Sequence, residues 1–311
     1  MEQTNGTTTS TNPHNASLLR QLSNQMADAV EKVTPSVVLV RGRERQPASG
    51  LVYAPGLVLT ADHVLERDEN ITISTSNGQT LSAQLVGRDK ASDVAVLRVD
   101  GLDVPAITAS QEKARVGQLV IAIGRTSDEG PMASSGIISI LGGPIRTSNG
   151  VLLERYMRTD AIPYPGFSGG ALIDTQGQVL GMLTTGLVNG LALAIPLDIA
   201  TRTANTLAQQ GHIARGYLGI SSQLVQIPEA QRGGKTQEYG LLILNVDENS
   251  PAQQAGILLG DILITLDGHA IRDAEDLQVL LAGERVGKTV PIEVIRGNTL
   301  HTLQVTIRQR Q

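Results

Sequence analysis

Apolar residues recur along this chain with two different periods. Between Ala16 and Val33, Leu18, Leu19, Leu22, Met26 and Val30 fall at helical spacing, which predicts one short amphipathic helix behind a Thr/Asn/Ser-rich, disordered tail over residues 1–16. From Ser36 the period shortens to that of β-strands. The runs are Val37 to Val40, Gly50 to Tyr53, Leu57 to Thr60, Ile71 to Ser74, Leu81 to Val86 and Asp93 to Val99. A second set of similar number follows: Gln118 to Ile123, Ser135 to Leu141, Val151 to Met157, Ala171 to Asp174, Gln178 to Leu183 and Leu191 to Ile195. Closing a sheet on itself removes its exposed edges, so two barrels of about six strands each are expected side by side.

After Pro196 the period lengthens again. Ile199, Ala200, Ala204 and Leu207 predict a helix ending near Gly211, and Gln209-Gln210-Gly211 reads as a linker. Beyond it, Gly216 to Ile307 mixes short strands with two small helices, an α+β module. Ser250-Pro251-Ala252 opens one helix with a capping serine and a first-turn proline, and Gly256 closes it; Asp273 to Leu277 opens the other. The domains expected are thus a tail at 1–16, a double-barrel domain with its N-terminal helix at 17–208, and linker plus module at 209–311.

Composition narrows the function. The 311 residues are 41% hydrophobic but only 2% aromatic, with Phe167 the sole phenylalanine, so Val, Ile, Leu and Ala must fill the cores. A net charge of -5 with no basic block argues against nucleic acid as partner. The absence of cysteine excludes disulfides and thiolate chemistry, and the scattered histidines offer no pair at ligand spacing, so neither a metal nor a cofactor is expected. Met1 to Ser17 lacks the basic start and apolar core of a signal peptide, which predicts a cytoplasmic protein as written; a periplasmic or extracellular one is the alternative if an export segment has been trimmed.

Candidate chemistry centres on Pro165-Gly166-Phe167-Ser168-Gly169-Gly170. A serine among glycines exposes its hydroxyl on a sharp turn and leaves amides free to face an oxyanion. Gly166 to Gly170 also fits the G-x-S-x-G elbow of the α/β-hydrolases. Two further residues decide: His63 at the end of a strand and Asp93 at the start of another. A serine needs an imidazole to take its proton, and the imidazole a carboxylate to fix its tautomer. The order His, Asp, Ser excludes an α/β-hydrolase, as does the hairpin pattern after Ala171; Asp62 keeps a subtilisin order formally open. Asp62 and Asp160, the competing carboxylates, are expected to make loop hydrogen bonds. The site should straddle the cleft between barrels.

These segments resemble the trypsin-like proteases of the HtrA (Deg) family, in which a chymotrypsin-like double β-barrel precedes PDZ domains. The matching pieces include Val33 to Val38, Leu59 to Val64, Gly87 to Asp89, Asp93 to Val99, Gly136 to Ser139, Thr159 to Ala161, Gly166 to Leu172 and Ala194 to Pro196. The resemblance implies that His63 is general base, Asp93 orients it and Ser168 attacks. The oxyanion hole falls at Gly166, Phe167 and Ser168, with the Gly166 and Ser168 amides as donors, and the specificity strand at Leu183, Thr184, Thr185 and Gly186. Phe167 stands where the family has asparagine, Ala171 where it has proline, and Tyr164 where it has another asparagine. A bulky aromatic at 167 must bury under the loop or project into the cleft, and is expected to tune a switchable loop.

Arg215 to Ile220 is similar to the carboxylate-binding loop of PDZ domains. Tyr217, Leu218, Gly219 and Ile220 would capture a peptide C-terminus, with Leu277 and Leu281 walling the pocket for its last side chain. The resemblance as a whole implies an endopeptidase of protein quality control acting on unfolded polypeptides by an acyl-enzyme route, with small aliphatic residues before the cut. A catalytically weak or inactive peptide-binding chaperone is the alternative. A homotrimer is inherited from the family, although no aromatic residue precedes Pro35 to make the family's N-terminal contacts.

Overall fold

In the computed structural model the described residues are 13–44, 46–147, 152–188, 191–213, 216–232, 235–281 and 285–309. Residues 1–12 of the expected tail, Val151 and Arg215 lie outside them. The chain divides into two compact units, Met1–His212 and Ile213–Gln311.

The first unit opens with α1 (Pro13–Val33), so Pro13 to Ala16, expected in the tail, form its first turn instead. Proline suits that position because its φ is preset and its missing N–H would have no helical acceptor. Six strands follow: β1 (Val37–Arg41), β2 (Ala48–Ala54), β3 (Leu57–Thr60), β4 (Ile71–Ser74), β5 (Thr80–Asp89) and β6 (Val94–Arg98). They close into a barrel in the order β1-β2-β3-β6-β5-β4. Leu39, Leu51, Leu59, Ile71, Ile73 and Leu97 are fully buried and fill it.

The second barrel uses β7 (Leu119–Ser127), β8 (Gly130–Gly142), β11 (Tyr156–Thr159), β12 (Ala171–Ile173), β13 (Val179–Val188) and β14 (Leu191–Pro196). Its closed order is β11-β14-β13-β12-β7-β8; β9 (Ile145–Arg146) and β10 (Leu152–Leu153) form a separate short ribbon. Val120, Ala122, Ile138, Met157, Phe167, Leu172, Leu183 and Ala194 share its core. Helix α2 (Leu197–Gln210) buries Ile199, Ala200, Ala204 and Leu207, and ends when Gly211 turns left-handed and its amide bonds the Leu207 carbonyl. Gln209 and Gln210, expected in the linker, are therefore helical. Only glycine makes such a left-handed stop without strain, and it is Gly211 that sets the end.

In the second unit, β16 (Ile220–Gln226), β17 (Tyr239–Val246), β18 (Ile262–Leu266), β20 (Thr289–Arg296) and β21 (Thr299–Thr306) lie in that order, with β19 (His269–Ala270) paired to β18. A two-stranded ribbon joins β15 (Gly216–Tyr217) to β22 (Arg308–Gln309). Helix α3 (Pro251–Gln254) is capped by Ser250, whose hydroxyl accepts from the Gln253 amide. The turn before α4 (Ala274–Leu280) is fixed by the Asp273 carboxylate, which accepts from the Asp276 amide. Leu218, Leu241, Ile243, Leu263, Ile292 and Val305 form the core.

Candidate active site

Strand β3 ends at Thr60 and a single 3₁₀ turn, Asp62–Val64, carries His63 out of the first barrel. Asp93, just before β6, adopts a left-handed backbone with φ of 54°, a conformation that a short polar side chain tolerates. Its carboxylate accepts from the His63 backbone amide at 2.9 Å and lies 3.0 and 2.9 Å from His63 Nδ1 through its two oxygens. A carboxylate there pairs with a proton on Nδ1, which directs Nε2 away from Asp93. Asp93 is 2% exposed, and Thr184 Oγ1 donates to it as well. Asp62 is occupied elsewhere. Arg88 donates to its carboxylate, to its carbonyl and to Asp68; burial alone would depress the Arg88 pKa, and these acidic partners raise it above the usual value. Asp160 accepts from the Ile137 amide at 2.6 Å. Both competing carboxylates thus make loop hydrogen bonds.

Ser168 sits in the turn between Tyr164 and Ala171. The Phe167 amide donates to the Tyr164 carbonyl at 3.0 Å, and the Gly170 amide to the Phe167 carbonyl at 2.8 Å. Phe167, expected within the oxyanion loop but not as one of its donors, has its N–H consumed in closing that loop. The Gly166 and Ser168 amides have no protein acceptor among the described residues. Phe167 itself is buried beneath the loop at 1% exposure, its ring edge-on to Tyr164 with centroids 5.5 Å apart. It fills the space beside Gly124, where a Cβ would stand 2.7 Å from the Phe167 ring.

The strand expected to set specificity, Leu183 to Gly186 in β13, also braces the site at three consecutive positions. Thr184 reaches Asp93, Thr185 Oγ1 lies 3.2 Å from Ser168 Oγ, and Gly186 lies directly against the imidazole. A Cβ at Gly186 would come within 2.5 Å of His63 Nδ1 and 2.8 Å of Asp93 Oδ2. Leu183 is buried and exchanges backbone bonds with Gly169 and Gly170. No hydrogen bond joins Ser168 to His63 among the described residues. Sequence reasoning missed Ser49, whose hydroxyl accepts from the Arg125 amide at 2.9 Å and donates to the Gly166 carbonyl at 2.8 Å, tying the loop to the first barrel. Gly124 was the signal available: a lone glycine inside a strand marks a close approach.

In the second unit, Gly219 has φ of 76°, and a Cβ there would stand 2.2 Å from Ser250 Cβ, so glycine is obligatory. The Leu218 and Gly219 carbonyls are held by the Ala252 and Asp247 amides, at 2.8 and 2.9 Å, while the Leu218 and Gly219 amides have no acceptor among the described residues. Tyr217 donates its hydroxyl to Asp247 at 2.6 Å. Ile220 begins β16, the first strand of the sheet. Leu277 is buried in the core, whereas Ile220 and Leu281 are only partly covered.

Residues 48–182 match the family described as a trypsin-like peptidase domain and residues 216–307 the PDZ domain family. A serine endoprotease from Yersinia pestis has a solved structure 30% identical to this chain, with a TM-score of 0.76 and coverage of 93% of this chain and 98% of that one. The HtrA-type protease AlgW, solved with a decapeptide, is 27% identical with a TM-score of 0.78, covering 92% of this chain and 99% of that one. The chain belongs to the HtrA-type serine protease family. Among curated relatives of this HtrA-type chain, a probable periplasmic serine endoprotease DegP-like from Pseudomonas putida is 34% identical over 275 residues. The match covers 86% of this chain and 57% of that relative, so the chain spans little more than half its length. One from Halomonas elongata, 33% identical over 270 residues, carries the same name. The expectation of a cytoplasmic protein is overturned by these relatives, whose names place them in the periplasm.

Proposed function

We propose that this chain is a periplasmic serine endopeptidase in which Asp93 orients His63, His63 acts as base and Ser168 as nucleophile. One observation carries the reading: three consecutive residues of β13, Thr184, Thr185 and Gly186, touch Asp93, Ser168 and His63 respectively, three residues that lie far apart in the chain. The proton of Ser168 passes to His63 Nε2 as Oγ bonds to the scissile carbonyl carbon. The carbon–nitrogen bond then breaks, the leaving amine takes that proton, and water hydrolyses the acyl-enzyme by the reverse use of the same base. The Gly166 and Ser168 amides, without an acceptor among the described residues, supply the oxyanion donors.

Unfolded or extended polypeptides are the substrates, with small aliphatic residues before the cut. In the PDZ unit the Leu218 and Gly219 amides hold a peptide C-terminal carboxylate while the peptide adds beside β16, tethering or regulating the enzyme. Ile220 and Leu281 border the pocket for the last side chain, with Leu277 behind them in the core. A homotrimer is supported by Leu18 and Leu19, exposed on α1, and light scattering with and without residues 1–30 tests it. The competing reading, a silent peptide-binding chaperone, rests on the missing Ser168–His63 hydrogen bond. Labelling by a fluorophosphonate separates the two: reaction at Ser168 that His63→Ala abolishes supports the protease, and no reaction in the presence of activating peptides refutes it.

A further inference from the structure

The run of β13 that braces the site is irregular. Pairing with β14 holds at Thr184 opposite Leu193 and resumes at Val188 opposite Leu191, so Thr185 to Leu187 bulge opposite Ala192 alone. Along a regular strand successive side chains leave opposite faces. A bulge re-aims them, which is how neighbouring threonines reach two members of one site. Thr184 is buried and bonded to a carboxylate that is itself buried. Thr185 is exposed, and its hydroxyl lies 3.2 Å from Ser168 Oγ, which has no other hydrogen-bond partner among the described residues.

Building on the assignment of Ser168 as nucleophile, we propose that Thr185 is a positioning residue that parks the Ser168 hydroxyl away from His63 until an incoming polypeptide releases it. When Ser168 donates in this pair, its proton points away from the base. When Thr185 donates, a lone pair of the attacking oxygen is engaged. Either bond lowers the resting state and must break before attack. A hydrogen bond between two neutral hydroxyls is modest, so parking is a brake and not an off state, of about 2- to 10-fold in rate. Exposure puts Thr185 within reach of a chain laid along the bulge.

Thr185→Val removes the hydroxyl and keeps the branched shape. The full chain is treated with a fluorophosphonate, in which Ser168 Oγ bonds to phosphorus, its proton passes to His63 and fluoride leaves. The saturating inactivation rate is expected to rise about 2- to 10-fold at an unchanged half-saturating concentration, and Thr185→Ser to restore the parental rate. A merely structural threonine would not give faster reaction on removal. A Thr185→Val rate equal to or below the parent's, with Ser168 still labelled, overturns the parking role and leaves the protease standing. A parent that melts cooperatively yet never labels at Ser168 overturns the protease reading, and the parking role with it.

Discussion

Phe167 stands directly before Ser168, and its burial makes its role measurable. The side chain is 1% exposed, stacks edge-on against Tyr164 and joins the core that holds Met157, Leu172 and Leu183. Burying a phenylalanine contributes about 1.5–3 kcal/mol and the edge-on pair about 0.5–1.5. Truncation adds the void that a packed barrel cannot collapse, which brings Phe167→Ala to about 3–5 kcal/mol. In a unit of this size that lowers the melting temperature by about 6–20 °C. Differential scanning calorimetry reads the shift, and fluorophosphonate labelling well below the melt reads the loop. Labelling should slow, because the ring underpins the backbone that holds the Gly166 and Ser168 amides, and Phe167→Asn should slow it too, since an amide cannot fill the space beside Gly124. A melt within about 2 °C of the parent would show that the ring fills no essential volume. Unaltered basal and peptide-stimulated turnover in Phe167→Asn would refute its control of the loop.

Gly186→Ala places a methyl group within 2.5 Å of His63 Nδ1, so the imidazole must shift and peptide hydrolysis should fall by about 100-fold or more, with the melt little changed. Gly219→Ala should abolish the preference of the second unit for a free peptide C-terminus, read by fluorescence anisotropy against the amidated peptide, because a Cβ meets Ser250 at 2.2 Å. Glu293 is held below its usual value of 4.5, first by the hydrogen bond from Lys235 and then by that from Thr265, against the opposing effect of burial. A depressed carboxylate stabilises fully above its unfolded pKa and loses that contribution as pH falls through its folded value. Acid unfolding of the second unit should therefore set in below about pH 4.5, and Glu293→Gln should flatten that dependence.

What the sequence discloses here is whatever a local pattern encodes. Alternating runs identify the barrel strands because each has one face in a core, and Ser250-Pro251 or Gly211 mark helix ends because capping is chemistry between near neighbours. The proposed triad is legible for a different reason, namely residue types in a telling order. Whether Phe167 buries or projects is not legible, since the answer lies in Gly124, 43 positions earlier, whose missing side chain makes the room. Ser49 escapes notice on the same ground: its hydroxyl bonds go to Arg125 and Gly166 in the other barrel. The strand from Leu183 to Gly186 carries a further lesson. Its residues suggest a surface that grips substrate, and the bulge after Thr184 also sets consecutive positions against Asp93, Ser168 and His63, which no local pattern discloses. Since Asp93 and Thr184 are buried while Thr185 is exposed, one strand holds the His63–Asp93 pair fixed and leaves the serine adjustable. Under the proposed function that division keeps the His63–Asp93 half of the site assembled, so that only a neutral hydroxyl has to move when a polypeptide arrives.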